Sequence, residues 1–116
     1  MKTDALELTL LFDTYGELLT DKQRLCFDLY YNQDLSLGEI AQEVGISRQG
    51  VYDSITRAES ALRAMEARLG AVRRDRQSKC ALDRIQAAAR TLAASGDTAI
   101  RSLAQEILSA ADTIKE

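Results

Sequence analysis

SLGEIAQEVGISRQGVYDSITRAESAL, residues 36–62, is the stretch that decides the fold of this chain. Ser36 is followed three residues later by Glu39, which is the capping-box pattern that opens a helix. Gly45 ends this helix, because glycine adopts a positive φ without steric cost. Ser47 then caps a second helix. Two helices joined by a short turn that contains glycine form a helix-turn-helix.

Apolar residues recur at helical spacing on both helices of the motif. They are Leu37, Ile40, Ala41 and Val44 on the first helix, and Val51, Ile55, Ala58 and Leu62 on the second. With these residues turned towards the core, the polar residues between them point outward. In DNA-binding proteins that contain this motif, the outward side of the second helix enters the major groove.

The outward residues of the second helix are therefore predicted to contact nucleic acid. Arg48 and Gln49 suit the edges of guanine and adenine. Tyr52, Thr56 and Arg57 suit phosphate oxygens. The full predicted set is Arg48, Gln49, Tyr52, Asp53, Thr56 and Arg57. The alternative is a set of solvated polar residues on a helical hairpin that serves protein contacts.

Three segments carry a resemblance to known proteins: LFDTYGELLTDKQR, DLSLGEIAQEVGISRQGVYDSI and ARLG. Over residues 6–70 the chain resembles the YlxM-like family of small bacterial helix-turn-helix proteins. Residues 18–62 also resemble the promoter-reading fourth region of sigma-70-type factors. These resemblances imply a DNA-binding regulator. Genes of the YlxM-like family lie beside those of the signal recognition particle GTPases, which implies the alternative of an accessory that contacts the particle's RNA or GTPases.

A second capping box, formed by Thr20 and Gln23, predicts a helix over residues 21–31. In sigma-like proteins the first turn of this helix lies near the DNA backbone. The resemblance thus implies phosphate contacts from Thr20, Lys22, Gln23 and Arg24, whereas the alternative is a capped scaffold helix. The core contacts predicted for this helix are Leu25, Phe27, Leu29, Tyr30 and Tyr31.

The N-terminal residues predict a first helix, capped by Thr3 or Asp4 and ended by Gly16. Its predicted buried set is Leu6, Leu10, Leu11, Tyr15 and either Leu18 or Leu19. Leu8 and Phe12 add a second apolar strip. This helix is therefore expected to pack on the helix-turn-helix and on a further surface.

The second helix of the motif is predicted to continue to Gly70. Met65 and Leu69 extend its apolar line in heptad-like steps, which form a seam that needs a partner. The partner is either the first helix or a second copy of the chain. Together with the second strip on the first helix, this seam predicts a homodimer.

The rest of the chain predicts an Ala-rich helical extension. The run RRDRQSK, residues 73–79, reads as a basic patch, a solvated linker or a helix extension. Apolar spacing then predicts two helices on either side of a turn at residues 95–97. The predicted organisation is a helix-turn-helix domain over residues 1–70 and a helical extension over residues 71–116.

Composition indicates an all-α protein, since the chain holds no proline and few glycines. The sequence contains no stretch long and apolar enough for a membrane span and no signal peptide, so no membrane insertion and a cytoplasmic location are expected. Without histidine, a metal-ligand cluster or a Gly-rich phosphate loop, neither an enzyme nor a cofactor is expected. Cys26 and Cys80 are lone thiols that are expected to be buried.

The net charge of −3 is unevenly distributed. Residues 1–46 hold nine acidic and three basic residues, whereas residues 47–90 hold ten basic and five acidic ones. Positive charge thus begins at the predicted recognition helix, where phosphate contacts would need it.

Overall fold

The structure, a computed structural model, describes residues 4–114, and within them it confirms an all-α fold without strands. The helices are α1 (Ala5–Tyr15), α2 (Asp21–Tyr31), α3 (Leu37–Val44), α4 (Arg48–Leu69), α5 (Ala71–Ala93) and α6 (Thr98–Asp112), with a 3₁₀ turn (Gly16–Leu18) after α1. The chain divides into two compact units, the first ending at Val72 and the second beginning at Arg73. No helix in the described part is long and apolar enough to cross a membrane.

Both predicted capping boxes are present. The Ser36 hydroxyl accepts a hydrogen bond from the Glu39 N–H at 3.1 Å, and the Glu39 carboxylate accepts one from the Ser36 N–H at 2.9 Å. Thr20 and Gln23 exchange the same pair of bonds at 3.2 Å. Asp4 occupies the predicted N-cap position of α1 but makes no side-chain capping bond; its carboxylate instead accepts a hydrogen bond from the Arg63 guanidinium at 3.1 Å. Thr3 lies outside the described residues.

The first unit is held by two apolar clusters. The α1 cluster consists of Leu8, Leu11, Tyr15, Leu19, Phe27, Ala58 and Leu62. The α3 cluster consists of Cys26, Leu29, Ile40, Ala41, Val51 and Ile55. Helices α2 and α4 contribute to both clusters, so these two helices join the halves of the unit.

Three leucines predicted as core residues are exposed. Leu6 is 76% exposed, Leu18 65% and Leu25 46%. Leu6 precedes the fully buried Leu8 by two residues, which is about 200° around a helix, so only one of the pair can face the core. Leu25 stands in the same relation to the buried Phe27, and of the two leucines that end the first segment it is Leu19 that is buried.

The seam along α4 finds its partner inside the chain. Ala58 and Leu62 pack in the cluster that α1 supplies, and Met65 packs against it. Of the two partners that the sequence left open, the first helix is therefore the one that covers this seam. Leu69, the last residue of the seam, is 51% exposed.

A hydrogen-bonded joint connects α4 to α5. Gly70 has a φ of 62°, and its N–H donates to the Glu66 carbonyl at 2.8 Å. The Tyr15 hydroxyl donates to Glu66 Oε1 at 2.6 Å and accepts from the Ala71 N–H at 3.1 Å. The pKa of Tyr15 is raised, mainly by burial and secondly by this hydrogen bond to Glu66. Because α5 begins at Ala71, the RRDRQSK segment is a helix extension and not a linker.

The second unit is a pair of helices with a small buried side. The Asp97 carboxylate caps α6 by accepting hydrogen bonds from the N–H groups of Ala99 and Ile100 at 2.9 and 3.3 Å. The buried residues of this unit are Gln86, Ala89, Ala104 and Ala111. The expectation that both cysteines are buried holds for Cys26 and is wrong for Cys80, which is exposed on α5.

We expect Leu62→Ala to lower the free energy of unfolding by about 2–5 kcal/mol, because the Leu62 side chain is fully buried and its removal leaves a cavity. Leu69→Ala, on the same helix but half exposed, is the matched control and should cost less than about 1 kcal/mol. Chemical denaturation measures both. Equal losses for the two variants would contradict the assigned core.

The environment of Tyr31 predicts that the protein loses stability at alkaline pH. Its hydroxyl donates to the Glu59 carboxylate, and burial, followed by that bond, raises the pKa of Tyr31 above the ordinary value of 10.0. A raised folded-state pKa contributes stability that is present below the unfolded-state pKa and is lost as the pH rises through the folded-state pKa.

Urea unfolding between about pH 8 and pH 11 tests this, across the ordinary range of tyrosine ionisation. The free energy of unfolding of the wild type should fall more steeply with pH than that of Tyr31→Phe. Tyr52→Phe, which changes an exposed tyrosine of α4, is the control and should retain the fall that Tyr31 produces. If Tyr31→Phe also retains that fall, the assignment is wrong.

Candidate nucleic-acid interface

The turn between α3 and α4 fixes the start of the predicted recognition helix. Gly45 has a φ of 81°, and its N–H donates to the Ala41 carbonyl at 2.9 Å. This left-handed conformation favours glycine and reverses the chain after α3. The Ser47 hydroxyl then accepts a hydrogen bond from the Gly50 N–H at 3.0 Å and caps α4. Helix α4 therefore begins at Arg48 with its first turn held at the surface.

The two sides of α4 separate in the way the pattern predicts. Val51, Ile55 and Ala58 are fully buried, and Ser54 is 7% exposed. All six predicted interface residues of this helix are exposed: Arg48, Gln49, Tyr52, Asp53, Thr56 and Arg57. These six side chains occupy the first three turns of the helix on its solvent side.

The structure places part of the α2 set beside α4. Thr20, Lys22 and Gln23 line one open depression together with Asp53 and Arg57. The start of α2 therefore adds a second edge to the α4 face. In this depression Lys22 and Arg57 supply positive charge, and Thr20 supplies a hydroxyl, although the Thr20 side chain already caps α2.

Arg24 is not part of this depression. It lines a different one with Phe12, Leu25 and Asp28. Its guanidinium also forms an ion pair with Asp21 at 3.1 Å. Of the four α2 residues predicted from the sigma-like resemblance, the structure therefore brings three towards α4 and leaves Arg24 apart.

Arg48 lies against the start of α3. It lines an open depression with Ser36, Gly38 and Gln42, none of which is in the predicted set. A Cβ atom at Gly38 would lie 3.8 Å from Arg48 Nε, so the two residues are neighbours. The sequence could have identified Ser36, Gly38 and Gln42 from their positions in the motif, because the first helix of the motif begins beside the N-terminus of the second.

The face carries negative as well as positive charge. Gln49 Nε2 donates a hydrogen bond to Asp53 Oδ1 at 2.9 Å, which orients both side chains on adjacent turns. Glu39 borders the Arg48 depression, and hydrogen bonds from Ser36 lower the pKa of its carboxyl group. Carboxylates repel phosphate but accept hydrogen bonds from amino groups such as cytosine N4.

Comparisons with known proteins identify the family of this chain. A model of the UPF0122 family, described as helix-turn-helix protein, YlxM / p13 like, matches residues 2–99. A UPF0122 protein of Thermoanaerobacter sp. is 54% identical over 86 residues, which cover 74% of each chain. A UPF0122 protein of Listeria innocua is 46% identical over 80 residues, which cover 69% of this chain and 73% of the relative. The family match includes all of the first unit that the structure describes, all of α5 and the first two residues of α6.

Proposed function

Because the chain belongs to the YlxM / p13-like family of helix-turn-helix proteins, we propose that it is a non-enzymatic, DNA-binding regulator that works in the cytoplasm. The observation that carries this proposal is the exposed face of α4. Its apolar side is buried in two clusters, and its polar side presents an arginine and an amide at the first two helical positions. Recognition helices contact base edges with their N-terminal residues.

The side chains divide into base-reading and backbone-binding groups. Arg48 would donate to O6 and N7 of guanine, and Gln49 would bind adenine. Asp53 would accept from cytosine N4. Lys22 and Arg57, which border the same depression, would bind phosphates on one side of the groove.

A homodimer completes the proposal. Dimeric helix-turn-helix proteins bind half-sites about one helical turn of DNA apart, so that a two-fold protein axis matches a two-fold DNA axis. With α1 covering the α4 seam, the surface that joins two copies lies elsewhere in the chain.

The base-reading proposal is tested by selecting bound sequences from a pool of genomic DNA and cellular RNA, then measuring affinity for the selected duplex. Arg48→Ala and Gln49→Ala should each reduce discrimination against the wrong base by about 1–3 kcal/mol, because each removes contacts to a base edge. Arg68→Ala, an exposed arginine near the other end of α4, is the matched control and should leave base preference unchanged.

Failure to retain any duplex above background at about 50 mM salt would overturn the proposal, because phosphate contacts are strongest at low salt. If the RNA or a GTPase of the signal recognition particle binds instead, the protein is an accessory of that particle. Binding to the signal recognition particle in place of DNA would overturn the proposed function but not the assigned fold of the first unit.

The backbone-binding group gives a separate expectation. Lys22→Ala and Arg57→Ala should each weaken binding to all duplexes and reduce the slope of log affinity against log salt by about 1, because each removes one phosphate contact. Arg24→Ala, on the same helix as Lys22 but lining a different depression, should leave the slope unchanged. Titrations at several salt concentrations measure these slopes, and an effect of Arg24→Ala alone would contradict the assigned edge.

A further inference from the structure

The second unit exposes an unusual amount of apolar side chain. Six large residues of this unit are between 38% and 68% exposed: Ile85, Leu92, Ile100, Leu103, Ile107 and Ile114. We call these six residues the hairpin face. Soluble monomers rarely leave a contiguous apolar patch of this kind uncovered.

The exposed residues fall on regular lines. On α6 and just beyond it, Ile100, Leu103, Ile107 and Ile114 follow heptad spacing, with Ala110 completing the line. On α5, Ile85 and Leu92 are seven residues apart. Alternating steps of three and four are the spacing with which helices pack against other helices in coiled coils and bundles.

Both lines lie on one side of the unit. A connection of only four residues, 94–97, makes α5 and α6 antiparallel neighbours. Four of the six residues come one position before a buried or partly buried residue: Ile85 before Gln86, Leu92 before Ala93, Leu103 before Ala104, and Ile107 before Leu108. In two antiparallel right-handed helices that pack against each other, the residues one position before those at the contact project from the same face of the pair.

The two helices of this unit carry net charges of opposite sign. Helix α5 carries six basic and two acidic residues, and α6 carries one basic and two acidic residues. Arg84 and Glu106 each precede a residue of the hairpin face and border its outer edges. Neither forms an ion pair with another residue in the described part of the chain.

Arg84 and Glu106 also lie at the same height. Arg84 is nine residues before the end of α5, and Glu106 is eight residues after the start of α6. At about 1.5 Å per residue both are roughly 12–14 Å from the connection. A two-fold axis parallel to the helices would therefore lay α5 of one copy against α6 of the other and bring Arg84 beside the partner's Glu106. A perpendicular axis in the same plane would instead bring like helices together.

We propose that the hairpin face is the dimer interface, where two copies of this chain form a four-helix bundle around a two-fold axis parallel to the helices. This inference rests on the homodimer proposed above and identifies its surface. The partner is a second copy because the face carries an apolar line on each of its two helices and net charges of opposite sign on them, so that it is complementary to itself.

Sedimentation velocity on the full chain without DNA tests the surface. The wild type should be a dimer at tens of micromolar, and Leu103→Glu/Ile107→Glu should raise the dimer dissociation constant by about 30-fold or more, because it places charges at the centre of the interface. Leu18→Glu, which alters an exposed leucine of the first unit, is the control and should remain dimeric. A monomeric wild type, or a double variant as dimeric as the wild type, would overturn the proposal.

Charge reversal tests the orientation and requires no change in the apolar face. Arg84→Glu and Glu106→Arg should each weaken the dimer by roughly 2- to 30-fold, because a two-fold axis alters two pairs at once. The doubly reversed variant should return to within about 2-fold of the wild type. If its losses add instead of cancelling, the proposed orientation is wrong.

Circular dichroism on every variant identifies any that fail to fold. If Leu103→Glu/Ile107→Glu does not fold, the charge-reversal variants of Arg84 and Glu106 decide the outcome. The experiments distinguish failure of the proposed dimer interface from failure of DNA binding. A dimer formed through this face that binds no duplex supports this inference and overturns the proposed DNA-binding role. A monomeric wild type that binds duplex through Arg48 has the opposite consequence.

Discussion

The first unit depends on one buried line of side chains along α4. Val51 and Ile55 pack with α3, while Ala58 and Leu62 pack with α1, and α2 contacts both groups. Helix α4 is thus held by three other helices. Because protein interiors are closely packed, a helix held at both ends of its buried side has little freedom to rotate. That constraint keeps the polar side of α4 turned to solvent.

The ends of the helices are fixed by local hydrogen bonds that do not depend on the core. Capping boxes open α2 and α3, Ser47 caps α4, and the left-handed glycines at 45 and 70 end α3 and α4. Each device satisfies backbone groups that would otherwise lack partners at a helix end. The Tyr15–Glu66 pair then connects the core of the first unit to the first N–H groups of α5.

Charge and apolar surface are divided between the two units. The α4 face and the start of α2 present polar and charged groups in open depressions, whereas the second unit presents six large apolar side chains. This division separates the surface proposed to bind nucleic acid from the surface proposed to bind a second copy. The small buried side of α5 and α6, made mostly of alanine, leaves the larger side chains for the exposed face.

Sequence alone determined the helix-turn-helix, the capped starts of α2, α3 and α4, the glycine ends of α3 and α4, and the outward set on α4, because caps, glycine turns and 3.6-residue spacing act over a few neighbouring residues. It could not decide between adjacent apolar residues. Which residue of a pair is buried, Leu6 or Leu8, and Leu25 or Phe27, depends on which neighbouring helix packs against it. A wide apolar strip in the sequence is compatible with either residue being buried. Tertiary structure alone decided that α1 covers the α4 seam, that Arg24 lies apart from Lys22, and that the apolar residues of α5 and α6 remain exposed. These outcomes depend on packing between segments distant in the chain, which local spacing does not encode.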